Sequence, residues 1–214
     1  TLDSEDDGEI FVGCAGGIDT TADFTYTRSL SPENFIYKRI SVSGLLGGHS
    51  GSDIDAGRAN ANKLIARFIW ECSQKWDIAV STFEGGNLRN AIPREANSVF
   101  GIHTDHVREM EEALNKYAEK IKNEYKGVEP SMKFEICDVE RPAYCIDSKT
   151  SLALIRAIYS APHGVYSMSR DIPGLVETST NLAAVKMLDD NKIRITTSQR
   201  SSVESRKNDI AGQV

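Results

Sequence analysis

The chain is poor in cysteine, has no excess of positive charge and contains no long apolar run. Its four cysteines, Cys14, Cys72, Cys137 and Cys145, are scattered over 214 residues with no C-x-x-C spacing. That usage excludes a small disulfide scaffold and a cysteine-based zinc finger, and predicts reduced thiols. Twenty-five Lys and Arg stand against 31 Asp and Glu, for a net charge of −6. An acidic chain is a poor partner for nucleic acid, whose binding depends on clustered cations that release condensed counterions. No apolar stretch reaches the roughly 18 to 20 residues of a membrane-spanning helix, so no membrane partner is expected. There is no basic segment followed by an apolar core and a small-residue cleavage site, which predicts a cytoplasmic protein. The nucleophile signatures are missing too: there is no G-x-S-x-G elbow, no H-E-x-x-H helix and no cysteine in a catalytic setting. The first residues, Thr1-Leu2-Asp3, lack an initiator Met and run almost at once into strand-like sequence, which reads as a fragment of a longer protein.

With 40% hydrophobic and 26% charged residues, the composition is that of a globular body. A short apolar run predicts a strand over Glu9–Cys14, and alternating runs predict strands over Ala22–Thr27 and Phe35–Ser43. After the glycine-rich segment from Gly44 to Gly51, Ser52 and Asp53 are placed to cap a helix carrying Ala56, Ala59, Leu64, Phe68 and Ile69 mostly on one face and ending near Trp76. Strands follow over Ile78–Phe83 and Asn97–Ile102, then a long amphipathic helix from Thr104 to about Tyr125. Lys133–Val139 reads as a strand and Ser148–Tyr159 as a helix. Val176–Met187 and Lys192–Ser202 form a hairpin joined through Asp189-Asp190-Asn191. This order predicts an α+β fold, a two-layer sandwich with helices on one face of a largely antiparallel sheet.

Four places invite a chemical reading. Asp3, in Asp3-Ser4-Glu5-Asp6-Asp7-Gly8, imitates the start of a calcium loop, but Cys14 stands where the closing Glu is needed. It is either a single metal-ligating carboxylate or part of a solvated turn. His49, in Gly47-Gly48-His49-Ser50-Gly51, sits on a loop that matches neither a phosphate loop nor a dinucleotide fingerprint. Its imidazole either donates to a substrate oxyanion or is an idle loop histidine. Asn90, in Asn87-Leu88-Arg89-Asn90-Ala91-Ile92-Pro93, offers an amide to a ligand carboxylate or belongs to a plain hairpin turn. Arg200 on the last strand is a bidentate carboxylate clamp or a solvated side chain. Of the other histidines, His103 and His106 have metal-like spacing without an evident third ligand, and His163 follows Pro162 in a turn.

The segments around Asp3, Val12-Gly13-Cys14-Ala15-Gly16-Gly17, the His49 loop, Gly57-Arg58-Ala59-Asn60-Ala61-Asn62-Lys63, the Asn90 turn and Val176-Glu177-Thr178-Ser179-Thr180-Asn181 together resemble the aminoacyl-histidine (Xaa-His) dipeptidases of the zinc aminopeptidase and carboxypeptidase superfamily. The resemblance implies a ferredoxin-like lid and dimerisation domain over residues 17–214, with residues 1–16 as the end of a catalytic domain. It implies that Asp3 ligates one of two zinc ions, that His49 serves the partner subunit's active site, and that Asn90 and Arg200 hold the carboxylate of a dipeptide substrate. A homodimer formed through the lid is implied as well. The remaining metal ligands and the general base are not in the chain, so the fragment alone is expected to be inactive. The alternative is a non-catalytic dimerisation or small-ligand-binding module.

Overall fold

A computed structural model describes residues 14–214. Asp3 and most of the strand expected over Glu9–Cys14 lie outside these residues. The first half contributes β1 (Gly16–Thr25), β2 (Arg28–Leu30), β3 (Phe35–Ser43), β4 (Gly48–His49), α1 (Ala61–Ser73), β5 (Ile78–Gly85), β6 (Ala91–Ile92) and β7 (Ala96–His103). The second half contributes α2 (Val107–Glu124), β8 (Lys133–Val139), β9 (Tyr144–Ile146), α3 (Ser148–Ser160), β10 (Gly164–Met168), β11 (Val176–Leu188), β12 (Lys192–Ser201) and α4 (Glu204–Gln213).

The main sheet has eight strands in the order β1-β12-β11-β5-β7-β3-β8, with β10 against β11. All its pairings are antiparallel. Helices α1, α2 and α3 pack beside one another over it, and their apolar faces close a core containing Ile40, Ile65, Phe68, Phe83, Phe100, Leu154, Leu182 and Val185. Each fully buried aliphatic or aromatic side chain contributes about 1.5–3 kcal/mol to folding. The α+β two-layer sandwich expected from the sequence is therefore the observed architecture.

The first helix begins later than its sequence suggests. Its cap is Asn60, whose side-chain oxygen accepts the amides of Asn62 and Lys63 at 3.0 and 3.3 Å. Ser52 and Asp53 lie in turns, Gly57 adopts φ +67°, and Ala56 is exposed. Asp53 is a poor cap here because its carboxylate is committed to the His49 amide and to Arg58. Short strands β2, β4, β6, β9 and β10 and helix α4 escape sequence reading, being too brief or too polar to show a period. At the β11–β12 hairpin, Asp190 and Asn191 adopt φ of 58° and 56°, the left-handed region that these two residue types tolerate best.

Lys63 joins two helices. From α1 its ammonium donates to the carbonyls of Ile158, Tyr159 and Ala161 at 3.1, 2.5 and 2.7 Å, satisfying the open C-terminal end of α3. Burial pulls its pKa down to about 8.

Candidate functional site

The glycine-rich loop between β3 and α1 is built to hold its shape. Gly44, Gly47 and Gly48 have φ of +74°, +63° and +136°. At Gly48 a Cβ would also collide with the Arg58 guanidinium and the Asp53 carboxylate, so the position demands glycine twice over. The buried carboxylate of Glu129 accepts the amide of Leu46 at 2.8 Å with one oxygen and that of Ala59 at 2.9 Å with the other, closing the excursion at its base. Arg94 adds a bond from Nε to the Leu45 carbonyl at 2.9 Å.

At the loop's tip β4 pairs with β6, setting His49 opposite Ala91. The His49 amide donates to Asp53 Oδ2 at 2.8 Å. Asp53 Oδ1 in turn faces Arg58 Nη2 at 3.2 Å, and Arg58 Nη1 donates to the Gly47 carbonyl at 2.6 Å. The half-buried ring is oriented by its own chain: Nδ1 accepts the amides of Gly51 and Ser52, both at 3.3 Å. A nitrogen that accepts carries no proton, so these bonds assign the ring proton to Nε2, the nitrogen farther from the backbone. What the loop presents is an N–H donor.

Arg200 approaches the same loop at Gly51. A Cβ built on Gly51 would lie 3.1 Å from His49 Cε1, 3.2 Å from His49 Nδ1 and 3.2 Å from Arg200 Nη1, so both side chains border this glycine. On the sheet Arg200 stands opposite Gly17 of β1 and Ser179 of β11, and paired residues share a face. Among the described residues, the buried atoms Arg200 Nε and Ser50 Oγ have no hydrogen-bond partner. Leaving such a group unpaired costs about 1–3 kcal/mol, more when it is charged.

Asn90 is exposed in the turn before β6, and its carbonyl accepts the Ser50 amide at 2.8 Å. The structure therefore brings His49, Asn90 and Arg200 to one place, joined through Ser50 and Gly51. Sequence reading gave Asp53 another role, as a helix cap, carried Arg58 and Asn181 only within family-like segments, and missed Glu129, although all four hold the loops. Their signal is spatial, since Glu129 and Leu46 are 83 residues apart.

The other histidines have different settings. His103 and His106 border an open pocket of about 620 Å³ with Phe35 and Trp76, and the His106 ring stacks on Trp76 at 6.1 Å. Among the described residues no three His, Cys, Asp or Glu side chains converge on a point where a metal ion would be held. His163 is not a simple turn residue. Its Nδ1 accepts the Leu182 amide at 3.3 Å and faces Asn60 Nδ2 at 3.3 Å, and burial, aided by the nearby Lys63 charge, pushes its pKa down to about 4.

Residues 40–129 match the family described as peptidase dimerisation domain. Over 212 residues, 99% of the chain, the sequence is 37% identical to the cytosol non-specific dipeptidase of Escherichia coli (strain K12) and spans 44% of that protein. The crystal structure of aminoacylhistidine dipeptidase from Vibrio alginolyticus superposes with a TM-score of 0.93 at 37% identity, covering 99% of this chain and 43% of that one. The chain thus spans less than half the length of the relatives it matches.

Proposed function

We propose that the chain, which is similar to the peptidase dimerisation domain and to part of two dipeptidases, caps the substrate and forms the dimer contact in a cytoplasmic enzyme hydrolysing Xaa-His and related dipeptides. The observation that carries this reading is the approach to Gly51 of both an oriented imidazole and a guanidinium whose buried Nε has no partner among the described residues. An N–H donor suits the oxyanion that forms when a peptide carbonyl is attacked. A guanidinium suits the free carboxylate that distinguishes a dipeptide from a longer peptide's interior. Asn90 adds an amide donor beside them. In this reading residues 1–16 lead out of the catalytic half, residues 17–214 form the lid, and His49 is delivered to the active site of a second subunit.

The described residues do not by themselves fit a catalytic metal pair, since no three candidate ligands converge among them. Zinc is proposed for the catalytic half, with Asp3 as this chain's contribution to its ligands; bound there, it would supply an activated water. The chain's own share is binding and orientation. By itself it should release no histidine from an Xaa-His dipeptide, whereas the full-length enzyme should. The relative's cytosolic description supports the location, and among the described residues no helix is long and apolar enough to cross a membrane.

Arg200 supplies the direct test. In the full-length enzyme Arg200→Ala should raise KM for a dipeptide by about tenfold to a hundredfold, the value of one or two charge-assisted hydrogen bonds. A dipeptide amide, which has no carboxylate, should lose much less. Equal losses for both substrates would remove Arg200 from the carboxylate site, and an unchanged KM would favour the alternative of a dimerisation module without a ligand role.

A further inference from the structure

The polar side chains on the two faces of the β11–β12 ladder are treated differently. On one face Thr178 and Ser201 share a hydrogen bond of 2.9 Å, Gln199 Nε2 donates to Thr180 Oγ1 at 3.3 Å, and Thr20 Oγ1 donates to Gln199 Oε1 at 2.9 Å. On the face that carries Arg200 lies Asn181, two residues from Ser179 and fully buried. Its amide nitrogen donates to the Ala91 carbonyl at 2.8 Å and to the Arg89 carbonyl at 3.4 Å, while its Oδ1 has no partner among the described residues.

Those two carbonyls flank Asn90, whose own carbonyl is held by the Ser50 amide. Three successive carbonyls of the turn are thereby fixed, two of them by one side chain reaching across from β11. Residue 90 itself is exposed in this held turn. An apolar residue of the same size would take this donor away from the Ala91 and Arg89 carbonyls, whereas asparagine holds both while keeping a stranded acceptor.

We propose that Asn181 is a positioning residue for substrate binding, setting the Asn90 amide in register with His49 and Arg200. The inference rests on the reading of Asn90 as a substrate-carboxylate donor. It makes the carboxylate site a property of the β11 strand as well as of the turn, and it ties Asn90 to the same ladder that carries Arg200.

The test uses the full-length dipeptidase and measures steady-state kinetics on an Xaa-His dipeptide together with a thermal melt. Asn181→Asp keeps the shape and removes the donors, and Asn181→Leu also removes the stranded acceptor. Each should raise KM about tenfold, the worth of roughly one hydrogen bond, while kcat stays within about twofold. Combined with Asn90→Ala, either should raise KM no further than Asn90→Ala alone, because both act through one amide. Asn181→Ser, which keeps one donor, should fall between wild type and Asp, and it serves if the other two variants do not fold. A wild-type KM in folded Asn181 variants, or effects that multiply with Asn90→Ala, would overturn the proposal. If Asn90→Ala itself leaves KM unchanged, the reading of Asn90 fails instead, and the two failures are told apart by that single variant.

Discussion

Replacing His49 by alanine in the full-length enzyme should lower kcat by about a hundredfold to a thousandfold and leave KM nearly unchanged, because an oxyanion donor acts in the transition state rather than on bound substrate. The loop gives reason to expect a clean result. Its backbone is held by Asp53, Arg58 and Glu129, none of which bonds to the imidazole, so removing the side chain frees the Gly51 and Ser52 amides but leaves those three supports in place. The sharper version is complementation. Subunits carrying His49→Ala, mixed one to one with subunits carrying Asp3→Ala, should regain about a quarter of wild-type activity when both preparations alone are inactive. Half of the reassorted dimers are then mixed, and each mixed dimer has one complete site of two. Recovery depends on the imidazole crossing between subunits. No recovery on subunit exchange would return His49 to its own subunit.

The second large effect is acid sensitivity at His163. Its pKa falls from 6.5 to about 4 on folding, through burial first and the neighbouring Lys63 second. The unfolded chain therefore takes up this proton at a higher pH than the folded one does. The stabilisation linked to the neutral ring is complete above about pH 6.5, declines as pH falls towards 4, and changes no further once both states are protonated. A shift of that size corresponds to an order of 3 kcal/mol, a large share of a typical domain's stability. Urea midpoints measured from pH 4 to 7 should thus fall steeply for the chain. They should fall less for His163→Asn, whose carbonyl oxygen can take over acceptance of the Leu182 amide without titrating. Parallel pH profiles for the two proteins would exclude His163 as the cause.

How far these features can be read in advance depends on the reach of the interactions that create them. The β11–β12 hairpin was legible because Asp190 and Asn191 announce left-handed geometry locally, and α2 because its apolar positions repeat with the helical period. The start of α1 was not. Ser52 and Asp53 have the chemistry of a cap, as does Asn60, and only the folded loop decides that Asp53 serves His49 and Arg58 instead. His163 looked like an ordinary turn residue because its partners, Leu182 and Asn60, are 19 and 103 positions away. The site divides in the same way. His49, Asn90 and Arg200 stand out as functional residue types in unusual settings, but their meeting at Gly51 and Ser50 depends on a sheet register and a loop closure that no local pattern records. The side chains that hold them, Glu129, Asn181 and Arg58, carry no signal of their own until the partners are seen.

The Glu129 carboxylate that ties Leu46 to Ala59 also changes what the loop can tolerate. It works as a non-covalent crosslink, turning the segment between those residues into a ring with fixed ends. The entropy of closing such a ring grows only logarithmically with its length, so even doubling it costs about 0.6 kcal/mol. Insertions near the exposed stretch at Asp55–Gly57 are therefore cheap for folding. They would be expensive for aim where they displace the Gly51 and Ser52 amides that orient the imidazole within this ring. Melting temperature is consequently a poor guide to the integrity of this loop, and variants selected for stability alone can lengthen it and lose the imidazole's direction without any sign in the melt.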